Sequence, residues 1–316
     1  MTIPYVLSAQ LQESLQKIDA LRRDILLVML TPRDELRFRW QALVERIFWS
    51  LTLSDMPMGK KEIVNLLAET PKKRLTPPQQ EVVAYKKAFD YIYQDWLASQ
   101  KPVFLQTVLI LHQLICPFGK FRASPGRLRV NQESLQKCLS YFQSSHEHPV
   151  IQAGLIQFKI LALSPFTDGN DRLARLLTYL FLYKEGFDCR GFLVLEEYFR
   201  RNLTDYQQIL KQAAQAGNQT AWLEYFVRGV AIQFKKTLED IAKEKTRMEI
   251  PAPTFKLNER QKEILALMEN PGITITNRQV QKLFKISQIT ASRDLTKLAF
   301  LGLLFAHGGG RSIYYT

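Results

Sequence analysis

Twelve consecutive residues, Ser164-Pro165-Phe166-Thr167-Asp168-Gly169-Asn170-Asp171-Arg172-Leu173-Ala174-Arg175, constrain this chain more than any other stretch. Before them, Ala153 to Leu163 is apolar enough for a buried helix. After them, Leu173 to Tyr183 is apolar on nearly every side, which marks a helix enclosed by others. Between the two, Pro165 and Gly169 break the helical pattern, while Asp168 and Asn170 favour turns and N-caps. The reading is a polar, glycine-containing loop that opens the N-terminus of a core helix, with Arg172 and Arg175 one helical turn apart. Free backbone N–H groups, a positive dipole end and two arginines together suit phosphates.

The rest of the chain sets broad bounds. Its 316 residues suit one large domain plus a small one. A formal net charge of +13 points to an anionic partner, nucleic acid first among them. Cys116, Cys138 and Cys189 are widely spaced with no Cys-x-x-Cys, which indicates neither a disulfide framework nor a zinc site. No segment reaches the roughly 18 apolar residues of a membrane span, and the N-terminus lacks a signal-peptide pattern. A cytoplasmic protein with no membrane partner is expected.

A mainly α architecture is expected. Leu11, Leu15, Ile18 and Leu21 keep helical spacing before Pro32 interrupts, and Glu35 to Leu53 carries Leu36, Trp40, Leu43, Ile47 and Phe48 on one face. Thr70 to Gln79 is a basic, proline-rich loop. Helical patterns resume over Gln80 to Leu97 and Val103 to Leu114, where His112 reads as a packed side chain rather than a ligand. Leu195 to Ala216 and Trp222 to Ala242 read as two more helices, separated at Gly217-Asn218. The expected division is a helical domain over 1–245, a linker over 246–257 holding Pro251 and Pro253, and a small α+β domain over 258–316.

That small domain has its own pattern. Asn258 caps an apolar-periodic helix, Asn277 to Phe284 is a second, and a third runs from Ser287 or Thr290 to Gly302. Leu303-Leu304-Phe305, the glycines 308–310 and Ser312 to Tyr315 read as strand, turn and strand. Three helices and a hairpin make a winged helix-turn-helix. Thr290-Ala291-Ser292-Arg293-Asp294-Leu295 resembles the recognition helices of bacterial transcription regulators. From Lys256 onward nine basic residues stand against four acidic ones, which favours DNA over a protein partner. Ser287, Gln288, Thr290, Ser292, Arg293 and Lys297 are the candidates to face a groove, with Arg311 on the wing near phosphate.

The central motif resembles the signature of the Fic family, enzymes that typically transfer AMP from ATP to a protein hydroxyl. The family pattern reads His-Pro-Phe, any residue, Asp or Glu, Gly-Asn-Gly-Arg, two residues, Arg. Pro165, Phe166, Asp168, Gly169, Asn170, Arg172 and Arg175 match in place. The resemblance covers roughly residues 10 to 245 and implies a helical Fic-type domain with a short β-hairpin flap. It makes Phe166, Asp168, Gly169, Asn170, Arg172 and Arg175 nucleotide or phosphate contacts and Asp168 a magnesium ligand when nucleotide binds. Pro125 to Val130 resembles the start of the flap, so Leu128, Arg129 and Val130 would align a target protein as an added strand. A winged helix-turn-helix follows the catalytic domain in many such proteins, and a homodimer is compatible with the resemblance.

The departures fall on the chemistry. Ser164 stands at the position of the catalytic histidine and cannot act as a general base near neutral pH, a loss of about 10²–10⁴ in rate. Asp171 replaces the second glycine. A carboxylate about 4 Å from a phosphate charge is repelled by about 4 kcal/mol at an effective dielectric near 20, so ATP with magnesium is disfavoured. Equally, Asp171 is an anion at a helix N-terminus that can pair with Arg172 or Arg175 in place of nucleotide. Many relatives also carry an inhibitory glutamate on an earlier helix. The nearest match, Ser50-Leu51-Thr52-Leu53-Ser54-Asp55, puts Ser54 there, and no glutamate lies between Arg46 and Lys61. Three readings stay open: a DNA-binding regulator with an impaired or altered Fic site, an active transferase using a non-standard base, and a protein–protein scaffold.

Overall fold

The computed structural model describes residues 4–68, 74–96, 101–116, 127–144, 146–246, 257–268, 273–301, 303–308 and 313–316. Helix α1 (Ala9–Leu27) begins where Ser8 Oγ accepts the Leu11 N–H, and it buries Leu11, Leu15, Ile18 and Ile25. Helix α2 (Pro32–Leu53) is capped by Thr31 with Pro32 in its first turn, where a missing N–H is harmless. A short α3 (Lys60–Ala68) leads to α4 (Pro77–Asp95), which starts three residues earlier than expected. Thr76 and Gln79 form a capping box there, and Pro77 is accommodated in the first turn. Helices α5 (Leu105–Ile115), α6 (Arg127–Ser144), α7 (Pro149–Leu163) and α8 (Asn170–Lys184) follow.

Residues 127–130 correct the flap expectation. Leu128, Arg129 and Val130 lie in the first turn of α6 rather than on a hairpin. Leu128 stands seven residues before the buried Leu135, itself seven before the buried Phe142, so the apolar period continues unbroken into this turn. Residues 125 and 126 lie outside the described residues. Past α8, the single helix expected over Leu195 to Ala216 divides at Asn202 into α9 (Leu195–Arg201) and α10 (Leu203–Ala216). The long α11 (Thr220–Thr246) completes the domain and packs along α1 and α7.

Helix α8 is the centre of this domain, with every residue from Arg172 to Tyr183 buried. It packs chiefly on α7, and α11 reaches α7 closely because Gly154 lets Trp222 donate its indole N–H to the Gly154 carbonyl at 2.8 Å. A Cβ at Gly154 would meet the Phe226 ring at 2.8 Å. Arg46 of α2 is wholly buried among the rings of Tyr179, Phe89 and Tyr93 and donates to the carbonyls of Leu193 at 2.6 Å and Gly191 at 3.1 Å. It thereby fixes the α8–α9 connection against α2. The apolar stripe read from the sequence on α2 divides. Ile47 enters the core, but Leu36 is 52 % exposed and Phe38, Val44 and Leu51 bury instead.

The C-terminal region has a separate apolar cluster of Ile264, Ile275, Val280, Ala291, Leu295, Leu298, Leu304 and Tyr315. It comprises α12 (Glu259–Leu267), β1 (Ile275–Thr276), α13 (Asn277–Phe284), α14 (Gln288–Phe300), β2 (Ala306–His307) and β3 (Tyr314–Tyr315). The strands form an antiparallel sheet ordered β1-β3-β2. Strand β1 was not read from the sequence, and β2 starts later than expected. Leu304 is drawn into the core, and pairing begins with Phe305, whose N–H and carbonyl bond Thr316.

Candidate nucleotide site and helix-turn-helix surface

The loop between α7 and α8 is held by its own side chains. Ser164 ends α7 in the left-handed region (φ 41°, ψ 59°), and its hydroxyl donates to the Leu161 carbonyl at 2.9 Å. Asn170 clamps the turn: its Oδ1 accepts the Phe166 N–H and its Nδ2 donates to the Phe166 carbonyl, both at 2.9 Å. Phe166 is buried and stacks on His112 of α5 with ring centroids 3.6 Å apart. His112 Nε2 lies 3.0 Å from the Asp168 carbonyl, and burial, partly offset by that bond, lowers its pKa. The packed reading of His112 holds, yet the fold brings it against a motif from which it is 52 or more residues distant in sequence. At 3 % exposure, with Nε2 engaged, it is part of the loop's support.

Gly169 caps α8 with φ 76°, a conformation that costs other residues roughly 1–2 kcal/mol. It also faces Cys116, whose Sγ would lie 2.6 Å from an added Cβ. Asp168 Oδ1 accepts the Gly169 N–H at 2.6 Å and Oδ2 meets Arg172 Nη2 at 3.2 Å. Burial, and then Asp168, pushes the Cys116 thiol up to about 11, so it stays protonated.

Both motif arginines are engaged by the protein's own carboxylates. Arg175 is 4 % exposed; its Nη2 donates to Ser50 Oγ at 2.9 Å and to Asp171 Oδ2 at 3.2 Å, and its Nε to Tyr85 OH at 3.3 Å. Burial would lower its pKa, but Tyr85 and Asp171 raise it overall. Arg172 forms an ion pair with Glu81 of α4, itself buried, and its Nε lies 4.0 Å from Asp171. Burial, then the Arg175 charge, lowers Arg172 to about 10, so it stays cationic at neutral pH. Burial opposes ionisation of Asp171, yet Arg175 and the Arg172 N–H outweigh it and its pKa is lowered. Ser54 donates to the same Oδ2 at 3.3 Å, so the residue aligned with the inhibitory glutamate does reach the motif, through Asp171.

Sequence reading brought Ser164, Phe166, Asp168, Gly169, Asn170, Arg172 and Arg175 together correctly as one loop and helix start. It missed Glu81 and Tyr85, which come from another helix, and placed Ser50 in the inhibitory stretch without its bond to Arg175. Glu81 carried no local signal, since α4 also holds Asp90 and Asp95 and only packing brings Glu81 to Arg172. In this arrangement the arginines that the resemblance assigns to ATP are already paired within the chain. Asp168, the expected magnesium ligand, itself faces Arg172 Nη2 at 3.2 Å.

The second candidate surface is α14. Ser287 caps it by accepting the Thr290 N–H at 3.2 Å, and its Oγ lies 2.9 Å from Thr290 Oγ1. Ser287, Gln288, Ser292 and Arg293 are exposed, while Thr290 and Lys297 are half-buried. Ile289, 65 % exposed on the same turn, was overlooked. Asp294 points inward, accepting from Arg260 Nε at 2.5 Å and Gln261 Nε2 at 2.7 Å, which ties α14 to α12. Arg311 lies outside the described residues.

Two family patterns match: Fic/DOC over residues 116–182 and the DeoR-like helix-turn-helix domain over 260–315. The chain carries a Fic/DOC domain and a C-terminal DeoR-like helix-turn-helix domain. It is similar to the protein adenylyltransferase Fic of Aedes aegypti, 22 % identical over 248 residues, 72 % of this chain and 47 % of the relative. The Nematostella vectensis protein of that name is 24 % identical over 249 residues, covering 72 % and 55 %. The chain thus spans about half the length of these curated relatives. Among solved structures, a Fic family protein from Desulfovibrio desulfuricans G20 superposes with a TM-score of 0.61 at 17 % identity, covering 100 % of this chain and 98 % of that one. Residues 134–508 of Fic-1 from C. elegans give 0.61 at 18 %, covering 73 % and 71 %. At such identities the structural likeness concerns the fold. Among the described residues no helix is long and apolar enough to cross a membrane.

Proposed function

We propose that this Fic protein is a DNA-binding regulator whose Fic domain keeps its phosphate site closed with its own carboxylates and transfers AMP weakly or not at all. The observation that carries the reading is the double engagement of the arginines, Arg175 by Asp171 and Arg172 by Glu81. An incoming phosphate would have to displace both anions, and either one left about 4 Å away opposes it by about 4 kcal/mol before solvent screening. Ser164 adds a second obstacle. Its hydroxyl is spent on the Leu161 carbonyl, and His112, the one histidine against the loop among the described residues, is buried with its Nε2 occupied. Among the described residues no histidine is placed to take a proton from a target hydroxyl.

DNA binding is supported by the DeoR-like pattern, the basic balance of the segment and the exposed Gln288 and Arg293 on α14. The α14 side chains would enter the major groove and Lys297 would meet phosphate. Incubation with radiolabelled ATP and magnesium tests the first half of the reading. No incorporation is expected into the protein itself or into generic protein acceptors. Robust labelling that disappears in Arg172→Ala would overturn it and promote the transferase.

A further inference from the structure

Away from the motif, a cavity of about 810 Å³ lies between the helical domain and the C-terminal hairpin. That volume falls within the roughly 300–1,000 Å³ of small-ligand sites. None of residues 164–175 lines it, so it is a different place from the closed phosphate site. Leu36, Trp40 and Leu43 form one wall and Leu303 and Phe305 the other. Leu36 is 52 % and Phe305 46 % exposed. Two domains therefore turn apolar side chains toward one space, where an apolar body would be withdrawn from water. This also accounts for Leu36, the α2 stripe residue that stays outside the core.

The charges around the cavity are unbalanced. Arg22, Arg33, Arg37, Arg39 and Arg190 line it, with Lys86 beside Asp90 and Arg37 3.4 Å from Asp34. Arg39 and Arg190 share a single carboxylate, Glu35, at 2.5 and 2.9 Å. Arg33 is exposed and has no ion-pair partner among the described residues. The remaining acid in the lining, Asp188, is 3 % exposed and faces Arg46 and Arg39, so its charge is taken up within the wall. A guanidinium excess beside an apolar wall suits a planar anionic head on an apolar body.

We propose that this cavity binds a small amphipathic organic anion, a carboxylate or phosphate ester on an aliphatic or aromatic body, held between the two domains. Leu301, which directly follows α14, also lines the cavity, and Phe300 packs over Lys86 Nζ at 5.0 Å. The occupant therefore touches the helical domain and the end of α14 together.

The test uses the full chain and the fluorescent sulfonate 8-anilinonaphthalene-1-sulfonate, displaced by octanoate, octyl phosphate, octylamine or octanol. Saturable one-site binding is expected, with octanoate or octyl phosphate competing at least tenfold better than octylamine. The ranking of the two anions distinguishes a carboxylate from a phosphate ester. Leu36→Trp and Phe305→Ser, both at exposed positions, should each weaken the dye about tenfold with melting temperature unchanged. Arg33→Gln combined with Arg39→Gln should weaken octanoate about tenfold and leave octanol unaffected. Dye binding that is unsaturable, equal in all variants, or displaced as well by octylamine as by octanoate would overturn the proposal.

Discussion

Asp171 stands one turn before Arg175 and accepts from it at 3.2 Å, so one residue supplies both a helix N-terminal anion and the counter-charge to a buried cation. Its side chain is 45 % exposed, so solvent weakens the repulsion of a phosphate to about 1–3 kcal/mol. Asp171→Gly should accordingly tighten ATP binding about tenfold or more in calorimetry, whereas Ser164→His should leave affinity unchanged because it alters only the proton acceptor. Equal affinities in the three proteins would show that Asp171 is not the obstacle. Gly169 makes a separate case. Gly169→Ala combines a left-handed backbone with a 2.6 Å approach to Cys116 Sγ, so the loss should exceed the roughly 1–2 kcal/mol of the backbone alone. Chemical denaturation measures it, and a loss under about 0.5 kcal/mol would mean that the loop relaxes freely.

At the scale of elements, the α8–α9 connection carries a pH signature. Burial, against the attraction of Arg46 and Arg39, raises the Asp188 carboxyl to about 6 from an ordinary 3.8. The folded chain then holds a proton that the unfolded chain has released, so stability from this group is full below about pH 4 and falls as pH rises through 6. Two units correspond to about 3 kcal/mol. Asp188→Asn should therefore lose less stability than the wild type between pH 4 and 7, and parallel profiles would contradict the assignment. Helix α14 offers a second test. Arg293→Ala should relax sequence preference by about 1–3 kcal/mol at one base position, while Lys297→Ala should weaken all duplexes alike and flatten the salt dependence. Helices α7, α8 and α14 were legible because their apolar periods are strong and their caps lie beside them in sequence. The hairpin expected at Leu128 to Val130 was misread, since a glycine turn signal is local whereas the α6 stripe extends to Phe142. Strand β1 is two residues long and exists through pairing with Tyr314 and Tyr315, about 40 residues away, which no local pattern encodes. Glu81 was invisible as a site residue for a similar reason, because only tertiary packing brings α4 to Arg172.

For the whole molecule, the two apolar clusters share no member, so the segment from Leu257 should bind duplex DNA on its own. Its affinity should fall below that of the full chain if the chain dimerises on two half-sites. A randomised duplex pool yielding no enriched site would remove the regulator reading and leave affinities of about 10⁻⁴–10⁻⁶ M for any sequence. The charge of +13 alone would give that weak binding, so enrichment rather than affinity decides. The central claim concerns the other domain, whose phosphate site is filled from within by Asp171 and Glu81. Calorimetric titration of the full chain with ATP and magnesium, beside the Asp171→Gly and Glu81→Gln double variant, tests it most directly. The account predicts no measurable heat of binding in the wild type at millimolar nucleotide and saturable binding in the double variant. Wild-type binding in the micromolar range, unchanged in the variant, would contradict it.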